Sequence, residues 1–303
     1  MKSYIAYKNQ RNGLKDVLET VKTTEKIAAS SVHFLRKKVA TLGVYTAETE
    51  RTLARLSKFY RKKDHPFLSA RPPGKKMLVI ITGEKGLVGG LWHKIINTLV
   101  KNIDRYQSLV VIGAKGEAYL REEDIPVAKS FKDFSDIPEE DEIKNITDYV
   151  FNEFKKNIFS KVDILYPEFI SLAEQKAAFT HFLPFEFAPM KMKDPFDKNR
   201  DGEKEGKDIK LTNGKEDGEG FPVFEPSKRK IFDELLRKYI GVFFRRIIME
   251  TKLSELSART VATEHAATKT EEIIKKLTLD YAKERRRSIT QRQLESFAAH
   301  KIT

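Results

Sequence analysis

The amino-acid sequence predicts an α/β protein built as a long antiparallel coiled coil of N- and C-terminal helices, with a Rossmann-like α/β domain inserted between them. Two observations predict the coiled coil: both end segments are nearly free of proline and glycine, and both carry a 3.5-residue apolar repeat. A third predicts the inserted sheet. The middle of the chain holds short, wholly apolar runs that alternate with helical patterns.

The first segment, residues 1–64, reads as one helix. From Leu14 to Tyr60 there is no proline, and Gly43 is its one glycine. Steps of four and three connect Leu14, Leu18, Val21, Glu25, Ala28, Val32, Leu35, Val39, Leu42, Thr46, Thr49, Leu53, Leu56 and Tyr60, with Glu25, Thr46 and Thr49 as breaks in the apolar seam. Such a helix is roughly 70 Å long. Pro66, Pro72 and Pro73 end the pattern.

Residues 65–190 read as the α/β domain. The strand Lys76–Thr82 leads into a glycine-rich turn and a helical pattern through Leu91, Ile95, Ile96 and Leu99. Ser108–Gly113 repeats the design. A third unit pairs a helical run over Ile146–Ile158 with the strand Val162–Phe169, and Ser171–Leu183 reads as a last strand.

Residues 191–226 are rich in charge and glycine and read as a surface loop. The last segment, 227–303, returns to the helical pattern: Leu235, Tyr239, Val242, Arg246, Met249, Leu253, Leu256, Thr260, Thr263, Ala267, Thr270, Ile274, Leu277 and Tyr281 form its seam. Ser227 stands where it caps the first free amides. At full extent this helix is roughly 110 Å long. It outruns its partner, so its end projects, and a projecting tip needs a socket.

Composition narrows the function. The chain has no cysteine, which excludes disulfides, thiolate metal sites and cysteine nucleophiles. Its formal charge of +13 suits nucleic acid, an acidic membrane or an acidic protein, and charge alone does not choose among them. No apolar run approaches the ~20 residues of a membrane span, and the N-terminus lacks the apolar core of a signal peptide, which together predict a cytoplasmic protein.

The motifs favour a chain without a catalytic centre. The turn Thr82–Leu91, with Gly86, Gly89 and Gly90, lies where phosphates often bind, yet lacks the lysine and hydroxyl of a phosphate loop. Close backbone packing is the better reading, for it and for Val111–Gly116. Asp197, Asn199, Asp201 and Gly202 match the start of a calcium loop, but Lys204 and Asp208 break its later positions, so a solvated acidic loop is favoured. The six histidines lack metal-site spacing, and no serine sits in a nucleophile elbow. Lys283–Arg292 is a basic stretch on the projecting helix, fit for phosphates or for carboxylates in a protein socket.

Further motifs carry a resemblance. Ser254-Glu255, Ala258-Arg259, Ala267-Thr268, Tyr281, Arg285 and Ser288-Ile289-Thr290-Gln291 resemble the C-terminal signature of the gamma subunit of F-type ATP synthases. Lys85–Leu91 resembles that family's glycine-rich turn, and Phe224-Glu225-Pro226 the element opening its last helix. The similarity runs in order along nearly the whole chain. The N-terminal motif departs: the family has Lys-Ile-Thr-Lys-Ala-Met where this chain reads Lys26-Ile27-Ala28-Ala29-Ser30-Ser31.

The resemblance implies a non-catalytic central rotor. Its paired helices would turn inside a hexamer of alpha and beta subunits, and its α/β foot would meet the epsilon subunit and the c-ring. ATP and magnesium would bind on the partners, with no cofactor or metal on this chain, which would sit peripherally on the cytoplasmic face of the membrane. By position, Arg285, Arg286 and Thr290 would contact a beta-subunit loop high in the cavity. Arg286 stands where the family commonly has glutamine. Lys26 and Ile27 would lie near the lower beta-subunit contact, Gly86, Gly89 and Gly90 would form the foot-domain turn, and the tip at Phe297–Ile302 would rest in a bearing. The alternatives are a rotor of an ATPase head used for another task, a basic coiled coil binding nucleic acid, which sparse aromatics disfavour, and a nucleotide-binding enzyme.

Overall fold

A computed structural model describes residues 3–57, 65–69, 71–135, 138–185, 225 and 227–300. They fall into two compact units, Met1–His33 with Gly86–Gly89 and Glu255–Thr303, and Phe34–Lys85 with Gly90–Ser254. The calcium-loop pattern at 197–208 and nearly all of the charged loop at 191–226 lie outside the described residues.

The chain order is α1 (Tyr4–Ser57), β1 (Lys75–Ile81), α2 (Leu91–Val100), a 3₁₀ turn at Ile103–Arg105, β2 (Ser108–Ile112), α3 (Ala114–Glu122), β3 (Lys129–Phe131), α4 (Glu140–Lys155), β4 (Phe159–Phe169), β5 (Gln175–Leu183) and α5 (Lys228–His300). The first helix starts ten residues before the apolar seam does. β3 was not expected. The expected last strand is shorter, because residues 170 and 171 give their amides to the Glu174 carbonyl in a turn instead.

The first unit is a helix pair. Tyr4 packs on Tyr281 with ring centroids 6.3 Å apart, the Arg11 guanidinium lies 5.2 Å from the Tyr281 ring centre, and Lys22 pairs with Glu271 at 2.5 Å. Rising numbers on α1 meet falling numbers on α5, so the pair is antiparallel. Leu14, Leu18, Val21, Glu25, Ala28 and Val32 are all at least partly buried, which puts the whole predicted seam inward, including its acidic break.

The second unit holds the sheet, in the order β3-β2-β1-β4-β5. β1 pairs in parallel with β2 and β4, β2 pairs in parallel with β3, and β5 runs antiparallel to β4. Register places Met77, Val79 and Ile81 level with Val110, Ile112, Val162 and Ile164. These join Ile146, Val150 and Phe154 of α4 and Phe243, Phe244 and Ile247 of α5 in one core. Each fully buried side chain of this size is worth about 1.5–3 kcal/mol. α2 lies against β4 and β5. A sheet clothed on both faces explains why its strands read as unbroken apolar runs.

The end-helix segments in this unit are antiparallel too, since Gly43 faces Arg246, and Glu50 bonds Tyr239. Thr46 and Thr49, the polar breaks of the seam, are 2% and 8% exposed. Their hydroxyls donate to the carbonyls of Leu42 and Tyr45 at 2.6 and 2.8 Å, so neither is buried unsatisfied. Ser227 caps α5 as its position predicts, accepting from the Lys230 amide at 3.3 Å. Where the chain enters and leaves the sheet its two ends are joined: the Phe185 amide donates to the Phe67 carbonyl at 2.6 Å.

Candidate functional site

In the first unit α5 continues past Tyr281, the residue that meets the start of α1. From Arg285 to Phe297 every residue except the half-buried Ser288 is exposed. Arg285, Arg286 and Thr290 stand here, the Thr290 hydroxyl donating to the Arg286 carbonyl at 3.1 Å. Ile289, Leu294 and Phe297 are 47%, 64% and 74% exposed. Cations and large apolar side chains are thus exposed together on one helix end. Lys26 and Ile27 are exposed on α1 beside the buried Ala28, with Ile27 63% exposed. The two groups stand on different stretches of the helix pair. His300 and Lys301, at the tip, lie outside the described side chains.

The turn after β1 is fixed differently from expectation. Gly89 has a left-handed backbone, φ +58, but a methyl group there would meet only Ala262 at an ordinary 3.9 Å, and one on Gly90 would meet nothing. Close packing does not explain these glycines. What anchors the turn is Arg259 of α5, whose Nε and Nη2 both donate to the Gly86 carbonyl at 3.2 Å. The same guanidinium pairs with Glu255 at 2.6 Å, with the two side chains 10% and 2% exposed. The sequence carried only an ordinary sign of this, an acid and a base four apart on a helix.

In the second unit the tight approach belongs to Gly113 and Gly116. Methyl groups there would stand 2.5 Å from the Thr82 carbonyl oxygen and hydroxyl respectively. The first amides of α3, where an anion would bind, are held by the chain itself. Ala114 donates to the Glu84 carboxylate at 3.1 Å and Gly116 to the Thr82 hydroxyl at 2.9 Å. The carboxylate occupies the place of a phosphate. Among the described residues, no group of three or more histidines, aspartates and glutamates is arranged to hold a metal ion.

A cleft of about 320 Å³ opens beside β5, lined by Arg105, Tyr106, Lys161, Asp163, Phe179 and His181 among others. Asp163 accepts from Tyr106 at 3.0 Å and stands 3.0 Å from His181 Nδ1 and 3.5 Å from Lys161. Burial raises its affinity for a proton, but the bonds from His181 and Tyr106 and the Lys161 charge outweigh that and hold it below the usual carboxylate range. This acid was hidden in an apolar strand. It ties β4 to β5 and to the turn before β2.

The family model described as ATP synthase matches residues 3–295. The ATP synthase gamma chain of Synechococcus sp. (strain WH7803) is 30% identical, over 95% of this chain and 96% of that one. That of Desulfitobacterium hafniense is 27% identical, over 92% and 91%. Among solved structures, the fold is shared with a chain of the Euglena gracilis mitochondrial ATP synthase OSCP/F1/c-ring assembly, at a TM-score of 0.61 and 16% identity over 98% of this chain and 93% of that one. A chain of the Tetrahymena thermophila central stalk and c-ring gives 0.54 and 15%, over 82% and 99%.

Proposed function

The chain belongs to the ATP synthase family, among its gamma chains, and from that premise we propose that it transmits torque as the central rotor and performs no bond chemistry of its own. Its partners are the alpha and beta subunits of the head, with the epsilon subunit and c-ring at the foot. Among the described residues no helix is long and apolar enough to cross a membrane. In this reading the complex holds the chain to the membrane, on its cytoplasmic face.

The observation that carries this reading is the bare end of α5. Exposed cations in water are worth little. Enclosed by a partner and aligned with carboxylates, the same groups set register and strengthen contact. Arg285, Arg286 and Thr290 meet the beta subunits in this way, with Ile289, Leu294 and Phe297 filling apolar sockets. Lys26 and Ile27 make the lower contact. Because a helix pair is not symmetric about its axis, turning it presents a different face to each beta subunit in succession. ATP and magnesium bind on those partners, and the rotor changes their affinity by contact alone.

The test is reconstitution with alpha and beta subunits. The full chain should yield a complex whose magnesium-dependent ATPase turns the rotor, seen with a bead on the foot. Replacing Arg285, Arg286 and Thr290 by alanine should weaken torque while leaving the isolated chain folded. A head that hydrolyses ATP without turning this chain would end the reading.

A further inference from the structure

We propose that Tyr281 is a positioning residue for the beta-subunit contact: gripped by Tyr4 and Arg11 of α1, it fixes the direction in which the end of α5 leaves the helix pair. The rotor reading supplies what that end touches, whereas the grip lies wholly within this chain. The seam of α1 continues upstream of Leu14, in steps of three and four, through Arg11, Tyr7 and Tyr4, all half-buried. Aliphatic side chains give way there to rings and a guanidinium, and Ile5 points outward, 52% exposed.

Both ends of this short stretch meet one ring. Tyr4 tilts against Tyr281 at 53°, with centroids 6.3 Å apart, and the Arg11 Cζ lies 5.2 Å from the centre of the same ring, within cation–π reach. Arg11 Nε is buried without a hydrogen-bond partner, and Nη2 makes only a long 3.4 Å bond to the neighbouring Asn12, so the ring is what engages this cation. Tyr4 and Arg11 are one heptad apart on one face of α1 and bracket Tyr281 as a hole brackets a knob. Arg285 follows Tyr281 by a single turn. The helix then runs on from 282 to 300, about 28 Å, so each degree of play at the grip moves its far end by about 0.5 Å. Backbone hydrogen bonds make that free end stiff, but its direction is set where it is held. Arginine forks that must meet carboxylates in fixed geometry need that direction fixed.

The chain has no cysteine, so spin labels at Lys15→Cys on α1 and Gln293→Cys on the end of α5, both exposed sites, report the direction by pulsed electron spin resonance on the full chain. The parent should give one narrow distance. Tyr281→Ala should lose it to a broad distribution, Arg11→Gln and Tyr4→Ala should broaden it in part, and Tyr281→Phe, which keeps the ring, should leave it narrow. Leu277→Ala, at a buried position one turn earlier, should lower the melting temperature and keep the distance narrow. In the head reconstituted with alpha and beta subunits, torque should fall with each variant that broadens the distance.

A narrow distance in Tyr281→Ala, or a broad one in Tyr281→Phe, overturns the proposal. So does a distribution as broad in Leu277→Ala as in Tyr281→Ala, which would make general packing along the seam the cause. Should Tyr281→Ala not fold, Arg11→Gln decides alone, and an unchanged distance there overturns the proposal. A broadened distance with full torque removes this inference and leaves the rotor reading standing. A parent chain with one narrow distance that does not turn in the head removes the rotor reading instead.

Discussion

Arg259 holds Gly86 by two hydrogen bonds to one carbonyl oxygen, each 3.2 Å long, while the same guanidinium neutralises Glu255. Removing the cation leaves a carboxylate that is 2% exposed without its charge partner. Arg259→Ala should therefore cost about 3–5 kcal/mol in urea denaturation. Glu255→Gln/Arg259→Met should recover much of that loss, because it removes both charges of the pair together. Equal losses from the single and double variants would show that the turn contact, not the ion pair, carries the energy.

Gly113→Ala should cost about 3 kcal/mol, since the position has φ +100 and a methyl group would stand 2.5 Å from the Thr82 carbonyl oxygen. Gly90→Ala is the control. With open space around it, the change should stay within about 0.5 kcal/mol. Thermal unfolding of the two variants side by side gives the comparison, and similar melting temperatures would refute the close-approach account.

Glu250 makes stability depend on pH. Burial pushes its carboxyl up to about 7, well above the usual carboxylate range, against the pull of Arg246 and the Phe169 amide. The folded state thus binds the proton more tightly than the unfolded chain. The resulting stability is fully present below about 4.5 and is lost as pH rises through about 7. Relative to Glu250→Gln, the parent should lose about 3 kcal/mol across that window. A stability difference that stays constant between those pH values would contradict the burial of this group.

Removing residues 294–303 should leave the melting temperature of the isolated chain unchanged, because Leu294 to Phe297 are exposed and the bond Glu295 accepts from Gln291 is local to the helix. Torque in the reconstituted head should fall. A truncated chain that unfolds more readily would mean that the tip supports the helix rather than serving a socket.

The seam of α1 was legible because its inward positions obey one period, whereas α5 also buries Phe232, Leu236, Ile240, Phe243 and Ile247 off the predicted seam, where the sheet packs on it. Even Glu25, Thr46 and Thr49, which break the apolar pattern, sit at least partly buried on the α1 seam. β3 was not legible: three residues, Lys129–Phe131, at a sheet edge are too few to show a period. The roles of Glu255 and Arg259 were obscured because paired charges on a helix ordinarily mark a solvated face. Here the segment Ser257–Thr260 is buried throughout, as the glycine-rich turn folds onto it. Asp163 gave no sign of its partners, since Tyr106 and His181 lie 57 and 18 residues away and meet it only through the sheet. The exposed tip was legible as a length mismatch and as a basic run.

The hydrogen bond from Phe185 to Phe67 gives the inserted sheet a common doorway for its entry and its exit. A segment whose ends already touch can be lengthened, shortened or exchanged at two adjacent splice points without altering the spacing of the sequences on either side. Any sheet exchanged there must still match Leu53 of α1 and Phe243, Phe244 and Ile247 of α5, whose side chains share its core.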